Sequence, residues 1–185
     1  MKNNKIFFIL IAFALFLNAC KKDNKTNNPY FTFGVAGNSW VYNSNGGSSN
    51  ATLTITNESN DTCTVAIINN ATSQIEHIGY FEISDTEYGA YESTNMSNKS
   101  IILKYDAQVG DIYYSITLGD TTVNEITSTS QSITVPAGTF DCYEIKSHNT
   151  FSPSIFDLSY INKNAGIIKV IENGQVDMEL VSKNF

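Results

Sequence analysis

The sequence contains no arginine, and all eleven of its basic residues are lysines. Charged residues make up only 16% of the 185 residues, and acidic side chains outnumber basic ones, so the formal net charge is −7. Nucleic acids and anionic lipid headgroups are bound mainly through clustered positive charge, for which Arg is favoured by its bidentate geometry. We therefore expect neither a nucleic-acid partner nor electrostatic binding to an anionic membrane surface.

Groups that commonly carry catalysis or bind metals are also scarce. The histidines are His77 and His148, and the sequence contains no His-x-x-x-His or Cys-x-x-Cys spacing from which zinc sites are often built. It also lacks a Gly-x-Ser-x-Gly nucleophile elbow and an Asp-x-Asp-x-Asp calcium loop. His148 could form a triad with Asp141 or Asp157 and one of the many serines, which leaves a hydrolase as an alternative. We predict a protein that is not an enzyme and holds neither a metal nor another cofactor.

The one long hydrophobic stretch is at the start of the chain. Twelve apolar residues, 6–17, follow a short segment that is positively charged by Lys2 and Lys5. A membrane-spanning helix needs about 20 apolar residues, so this run is typical of a cleaved signal peptide. The next residues, Leu-Asn-Ala-Cys at 17–20, resemble the lipobox of bacterial lipoproteins. The resemblance implies cleavage before Cys20, a diacylglyceryl group on its thiol and an acyl chain on its new amine.

The lipobox resemblance divides the chain into three parts. Residues 1–19 form the signal peptide, residues 20–32 a polar, flexible and lipidated tether, and residues 33–185 a single β domain. Removal of the signal peptide takes two of the 11 lysines and leaves all 18 acidic residues, which gives a net charge of −9. We expect the protein in the bacterial cell envelope, attached to a membrane through the lipid on Cys20. The outer membrane is the leading assignment, and its periplasmic and surface faces both stay open.

The remainder of the sequence is dominated by short alternating segments, without a convincing helical period. Apolar and polar residues alternate at 51–56 and again at 112–118, which is typical of half-buried strands. Asn173-Gly174 is the strongest hairpin signal, because a type I′ turn needs positive φ angles at both central positions. About ten to twelve such segments follow one another with short connections. They predict a mainly β fold, an antiparallel meander that forms a curved sheet or open barrel, with a β-sandwich as the alternative.

A second hairpin is predicted around Pro136-Ala137-Gly138. Pro136 has a fixed φ angle that suits the first central position of a type I turn. Gly138 then falls where a three-residue hairpin loop requires a left-handed residue and a bulge. The flanking residues, 133–135 and 139–145, are rich in β-branched and aromatic side chains and complete the two strands.

Four segments of this domain together resemble a group of uncharacterised bacterial envelope lipoproteins. They are Gly-x-x-Trp-x-Tyr at 37–42, Val-Gly-Asp at 109–111, the Val-Pro-Ala-Gly-Thr-Phe hairpin at 135–140 and Ala-Gly-Ile-Ile-Lys at 165–169. The similarity spans residues 37–182. That group is distantly similar to the half-barrel carriers of the LolA and LolB kind, which hold acyl chains beneath a helical lid. The resemblance implies a curved or half-barrel sheet and no catalytic residues.

Two cysteines remain after lipidation of Cys20. Cys63 and Cys142 each lie among alternate apolar residues, so both are expected on the apolar faces of strands. An exported protein meets an oxidising environment, in which these two thiols could pair as a disulfide. They could also remain buried and unpaired, as cysteines in protein cores often do.

Aromatic residues make up 12% of the sequence and include ten tyrosines. Aromatic side chains in strands are packing residues first, but five of the tyrosines could line a ligand-binding face. These are Tyr80, Tyr88, Tyr91, Tyr113 and Tyr114. We predict a membrane-anchored module with a binding or structural role, for which a lipid, a glycan or another envelope protein is the candidate partner. The alternative is a carrier that holds a lipid or another apolar ligand in a cavity of the half-barrel.

Overall fold

A computed structural model describes residues 31–44, 49–59, 61–84, 86–91, 99–117 and 120–185 of the chain. The predicted signal peptide, Cys20 and the tether up to residue 30 lie outside these described residues. Twelve strands make up most of the described part: β1 (Ser39–Ser44), β2 (Ser49–Ser59), β3 (Thr62–Asn69), β4 (Gln74–Ile83), β5 (Glu87–Tyr91), β6 (Lys99–Lys104), β7 (Ile112–Thr117), β8 (Asp120–Val135), β9 (Gly138–Asn149), β10 (Phe156–Asn162), β11 (Gly166–Glu172) and β12 (Gln175–Lys183). No helix that could cross a membrane occurs in these described residues.

All twelve strands belong to one antiparallel sheet, in the order β6-β5-β4-β3-β2-β1-β12-β11-β10-β9-β8-β7. Strands that follow one another in the chain are paired, with β6 and β7 as the exception among the described residues, and β1 also pairs with β12. The sheet is therefore a nearly closed barrel with one seam, at which the edges of β6 and β7 have no strand partner within the described part of the chain. The predicted antiparallel meander with a curved sheet or open barrel is confirmed, and the β-sandwich alternative is wrong.

The meander gives the barrel two distinct ends. The described chain starts at one of them, next to the first residue of β1, and we call this the entry end. The last residues of the chain also lie there, where the N–H of Ser39 donates to Oδ1 of Asn184 over 2.8 Å. Residues 31–38 and the loop 105–111 between β6 and β7 belong to this end. The opposite end, the far end, carries the β3–β4, β9–β10 and β11–β12 turns.

Aromatic rings fill the core near the entry end. Phe33 is fully buried, and its ring packs edge-to-face against those of Trp40 and Tyr88, with centroids 5.9 and 5.1 Å away. The indole Nε1 of Trp40 donates to the carbonyl of Ala165 over 2.7 Å, so its polar edge is satisfied inside the core. Phe31 is also buried and contacts Phe33 and Tyr88. The packed domain therefore includes residue 31, which the sequence assigned to the tether.

The hairpin at Pro136 folds back over the entry end. β8 ends at Val135 and β9 begins at Gly138, so only Pro136 and Ala137 connect the two strands. Gly138 has the positive φ angle that the sequence predicts, 131°, but it pairs directly with Val135, so the expected three-residue loop with a bulge is wrong. The N–H of Ala137 donates to the carbonyl of Leu180 on β12 over 3.2 Å. Because β12 lies three positions from β9 in the sheet, this contact requires the hairpin to bend across the barrel end.

The β11–β12 turn has the geometry that Asn173-Gly174 predicts. The φ angles of the two residues are 50° and 77°, so both are positive, as a type I′ turn requires. The N–H of Asn173 donates to Oδ1 of Asp157 over 3.3 Å, which holds the tip of this hairpin against β10.

The structure does not contain the disulfide that Cys63 and Cys142 could have formed. Cys142 is a free, buried thiol, and the buried Cys63 sulfur lies 3.5 Å from the carbonyl oxygen of Gly34. The two cysteines lie on β3 and β9, six positions apart in the sheet, whereas a disulfide needs Cα atoms within about 7 Å. Burial, followed by the nearby carboxylate of Asp141, raises the pKa of the Cys142 thiol to about 12, so this thiol stays protonated.

Candidate functional site

The inner face of β8 and β9 becomes polar toward the far end. Ile126 and Ile145 are paired with each other and buried in the barrel. Two residues nearer the far end, Asn124 and Ser147 form the next pair on the same face. The amide of Asn124 donates to Oγ of Ser115 on β7 over 3.0 Å, and its Oδ1 accepts from Oγ of Ser147 over 2.8 Å. These hydrogen bonds satisfy polar groups whose burial inside the barrel would otherwise cost free energy.

One row of side chains on the outer face of the same wall is largely apolar. Tyr114, Val123, His148 and Phe156 are paired in register across β7, β8, β9 and β10 and therefore form one row. Tyr114 is 64% exposed and Phe156 is 42% exposed, and Ile112, on the same face of β7, is 50% exposed. Near the far end the usual arrangement of a half-buried sheet is inverted, because Asn124 and Ser147 lie inside whereas Tyr114 and Phe156 face the solvent.

The β9–β10 turn extends this apolar surface at the far end. Phe151 is 81% exposed and Ile155 is 58% exposed. Beside them is a surface pocket of about 290 Å³ between β10 and the β11–β12 hairpin. It is lined by Ser154, Ile155, Phe156, Leu158, Ile171, Asn173 and Gly174. The far-end patch is our name for this pocket together with Tyr114, Val123, Phe151, Ile155 and Phe156.

Charged groups border the far-end patch. Nζ of Lys146 lies 4.3 Å from the ring centroid of Phe156, which is a cation–π contact. Near the β11–β12 hairpin, Asp157 and Asp177 both lie close enough to Glu172 to repel its carboxylate. Partial burial, and then the charges of the two aspartates, raise the pKa of Glu172. The border of the pocket is therefore more acidic than basic on the hairpin side.

The five tyrosines predicted for a ligand-binding face do not share one surface. Tyr88 lies in the core and Tyr113 is also buried, whereas Tyr114 on the neighbouring position points outward. Tyr80 and Tyr91 are paired with each other on β4 and β5, on another part of the wall. Of the five, Tyr114 alone belongs to the far-end patch, so the predicted tyrosine face is wrong.

Side chains, rather than main-chain hydrogen bonds, bridge the described part of the seam. Nζ of Lys104, at the last position of β6, lies 5.2 Å from the ring centroid of Tyr113 on β7. Lys163 in the β10–β11 turn lies over the rings of Tyr105 and Tyr143, at 4.1 and 4.7 Å from their centroids. These cation–π contacts fasten the loop 105–111 to the barrel at the entry end.

The β6 edge is held against β5 and β4 by an ionic network. Nζ of Lys99 lies 2.8 Å from Oε1 of Glu82 and also contacts the carboxylate of Glu87. The hydroxyl of Tyr91 donates to the second oxygen of Glu82. Hydrogen bonds from Lys99 and then Tyr91 lower the pKa of Glu82. The network links three neighbouring strands through one lysine.

The two aspartates that were candidates for a catalytic triad make other contacts. The carboxylate of Asp141 accepts from Oγ of Ser130 over 2.9 Å, and that of Asp157 holds the β11–β12 hairpin. His148 lies in the outer row beside Phe156. Across the part of the chain that the structure describes, no group of three or more His, Cys, Asp or Glu side chains could hold a metal ion. The arrangement offers a surface for binding, and the absence of enzymatic activity stays a prediction.

Sequence reasoning did not identify Phe151 and Ile155 as surface residues. A signal was available, because both lie in a short segment with Ser152, Pro153 and Ser154, and such turns are usually polar. The outward direction of Phe156 had no such signal. Apolar and polar residues alternate along its strand, β10, and this alternation does not indicate which face of the strand packs against the core.

Comparison with known proteins shows the fold of the chain. No protein-family model matches the sequence, and no curated protein matches it. A crystal structure of a candidate lipoprotein from Parabacteroides distasonis is similar, with a TM-score of 0.50, 15% identity, and coverage of 84% of this chain and 99% of the other. A candidate exported protein with a YmcC-like fold from Bacteroides fragilis is similar at a TM-score of 0.50 and 13% identity, with the same coverage. At these identities the likeness concerns the fold alone, which the chain shares with these two solved bacterial proteins.

Proposed function

We propose that this chain is a lipid-anchored protein of the bacterial cell envelope, without enzymatic activity, whose barrel binds a partner through the far-end patch. The position of the patch carries this proposal. Its exposed rings cluster at the end opposite to the one at which the described chain begins. A barrel held by a lipid on Cys20 would be tethered at its entry end, which leaves the far end accessible to a partner.

The size of the patch supports a binding role. An aromatic side chain presents about 150–250 Å² when fully exposed, and contiguous apolar patches above a few hundred Å² are uncommon on monomeric proteins. Phe151 and Tyr114 each expose well over half of their surface, and Phe156 and Ile155 are also exposed. Burial of roughly 300 Å² of such surface would contribute about 7 kcal/mol before the costs of association. A partner with an apolar contact surface is therefore the expected ligand.

The cell-envelope part of the proposal is supported by the lipobox and by the similar folds. The chain carries Leu-Asn-Ala before Cys20, and the two similar structures are of a candidate lipoprotein and a candidate exported protein. We propose the outer membrane as the site of the anchor. The acidic mature chain has no arginine, so the acyl chains on Cys20 would supply the membrane affinity.

The alternative role as a carrier of a lipid inside the barrel is less well supported. An internal acyl chain would have to displace aromatic rings that are already in contact. Phe33 touches the rings of Phe31, Trp40 and Tyr88, and all four side chains are almost completely buried. A binding surface on the outside of the barrel needs no such rearrangement.

Site-specific photo-cross-linking of the full-length protein in living cells tests the proposal. A photoreactive side chain at position 156 lies in the far-end patch, and one at position 75 is the control, because Ile75 is 61% exposed on β4. We expect a discrete adduct at position 156, absent at position 75, that disappears when Tyr114→Ser and Phe151→Ser are combined with the probe. Equal cross-linking at both positions, or an adduct that survives the double substitution, would contradict the role of the patch.

A further inference from the structure

The two edges of the seam are protected to different degrees. Exposed strand edges attract other strands, and proteins commonly blunt them with lysines, prolines and bulges. β6 carries Lys99 and Lys104 at its two ends, and its register with β5 shifts between Tyr88 and Gly89. The network around Lys99 also holds this strand in place. The edge of β6 therefore has several features that oppose pairing with a further strand.

β7 has none of these protective features. Its sequence, Ile-Tyr-Tyr-Ser-Ile-Thr, contains no charge, no proline and no glycine, and it consists mainly of residues that favour strands. All six of its residues, Ile112–Thr117, pair with β8 without a register shift. Alternate main-chain N–H and C=O groups of an antiparallel strand point away from its partner, so on β7 half of them face the seam.

The far-end patch ends at this edge. Tyr114 is the last member of the outer row, which starts at Phe156 on β10. On the other face of β7, Ser115 joins the polar cluster with Asn124. A strand added beside β7 would continue the row if its outward side chains were apolar and its inward ones small and polar.

We propose that β7 is an acceptor for an extended segment of another protein, which adds to the barrel as a further strand. Recognition of this kind obtains affinity from main-chain hydrogen bonds and specificity from alternate side chains. The segment would be uncharged, with apolar residues at alternate positions that pack beside Tyr114 and Ile112. Its main chain would pair with residues 114–117, because the contact between Lys104 and Tyr113 already joins the two edges at the entry end. The proposal concerns the edge of β7 and holds whether or not the far-end patch has a partner of its own.

The test uses the full chain in detergent micelles with a donor strand attached to its C-terminus. The donor is Thr-Val-Thr-Ile-Thr-Val-Thr, joined to Phe185 by a Gly-Ser linker of about 20 residues, which reaches roughly 25 Å. The matched control donor carries proline in place of its central Ile, which removes a main-chain donor and disfavours pairing. Hydrogen exchange of the amides of Ile112–Thr117 is the readout, because it reports main-chain bonding of β7 directly.

We expect the alternating donor to slow exchange of the seam-facing amides of β7 at least tenfold and the proline donor to leave them unchanged. Unchanged exchange with the alternating donor would overturn the proposal, since the linker holds the donor at an effective concentration near the millimolar range. Protection that is already complete without a donor would also overturn it. Protection that depends on protein concentration would mean that a second copy of the chain occupies the edge of β7. Protection that is lost on deletion of residues 21–29 would mean that the chain's own tether occupies it.

Discussion

The entry end should be the most sensitive part of the barrel to truncation of a side chain, and Phe33→Ala tests this. Phe33 is fully buried, and its ring lies edge-to-face against three other aromatic rings, at centroid distances of 5.1 Å to Tyr88, 5.9 Å to Trp40 and 6.2 Å to Phe31. Removal of a buried Phe side chain costs about 3–5 kcal/mol through lost transfer energy and the cavity left behind. A domain with a total stability of about 5–15 kcal/mol would lose a large part of it.

Urea unfolding followed by tryptophan fluorescence measures this loss, because Trp40 is the one tryptophan of the chain and contacts the substituted residue. We expect the midpoint to fall by about 1–3 M at an unchanged slope of roughly 1.5–2.5 kcal/mol per M. Phe151→Ala is the matched control, since it makes the same chemical change at a ring that is 81% exposed, and it should shift the midpoint little. A loss below about 1 kcal/mol for Phe33→Ala would refute the assignment of Phe33 to the core.

Four further substitutions test separate features. Gly138→Val should destabilise the barrel by more than about 1 kcal/mol in thermal melts, because a β-branched residue is strained at a φ angle of 131°. Glu82→Gln should lower stability at pH 7, where the ionised carboxylate accepts from Lys99. Because the pKa of Glu82 is lower in the fold than its usual value of 4.5, the ionised carboxylate stabilises the fold at pH values above 4.5. The difference in urea midpoint between the wild type and the variant should therefore vanish as the pH falls below that value. Glu172→Gln should raise stability at pH 7, because the raised pKa of Glu172 means that the ionised carboxylate is disfavoured in the fold. This gain in stability should also disappear in acid. Cys20→Ser should abolish metabolic labelling with fatty acid, while the far-ultraviolet circular dichroism of the barrel stays unchanged; a labelled variant would contradict the lipid attachment.

Local turn chemistry made much of the fold predictable. Asn173-Gly174 identified a hairpin because its two positive φ angles suit few other residue pairs. Short alternating segments likewise predicted the strands, since side chains repeat every two residues along a strand. The hairpin at Pro136 was located correctly, but its loop is one residue shorter than expected, because Gly138 belongs to the ladder of β9.

The far-end patch and the seam could not be predicted in the same way. Apolar Ile112 and Tyr114 alternate with Tyr113 and Ser115, and the pattern alone would place the first pair in the core. The structure places them outside, because the inward positions of β7 meet a hydrogen-bonded polar cluster around Asn124. The seam depends on which distant strands pair, and that information lies in tertiary packing and not in local periodicity.

The pairing of β1 with β12 has a consequence for the order in which the molecule assembles. Apart from this contact, the barrel consists of two six-stranded meanders, β1–β6 and β7–β12, in which every partner is a neighbour in sequence. The closing pair joins residues such as Val41 and Ser182, almost the whole domain apart. Folding rates fall as contacts become more distant along the chain, so formation of this pair should be the slow step. A circular permutant that links the termini and opens the loop 105–111 would turn the closing pair into an ordinary hairpin and should fold faster without a change in architecture.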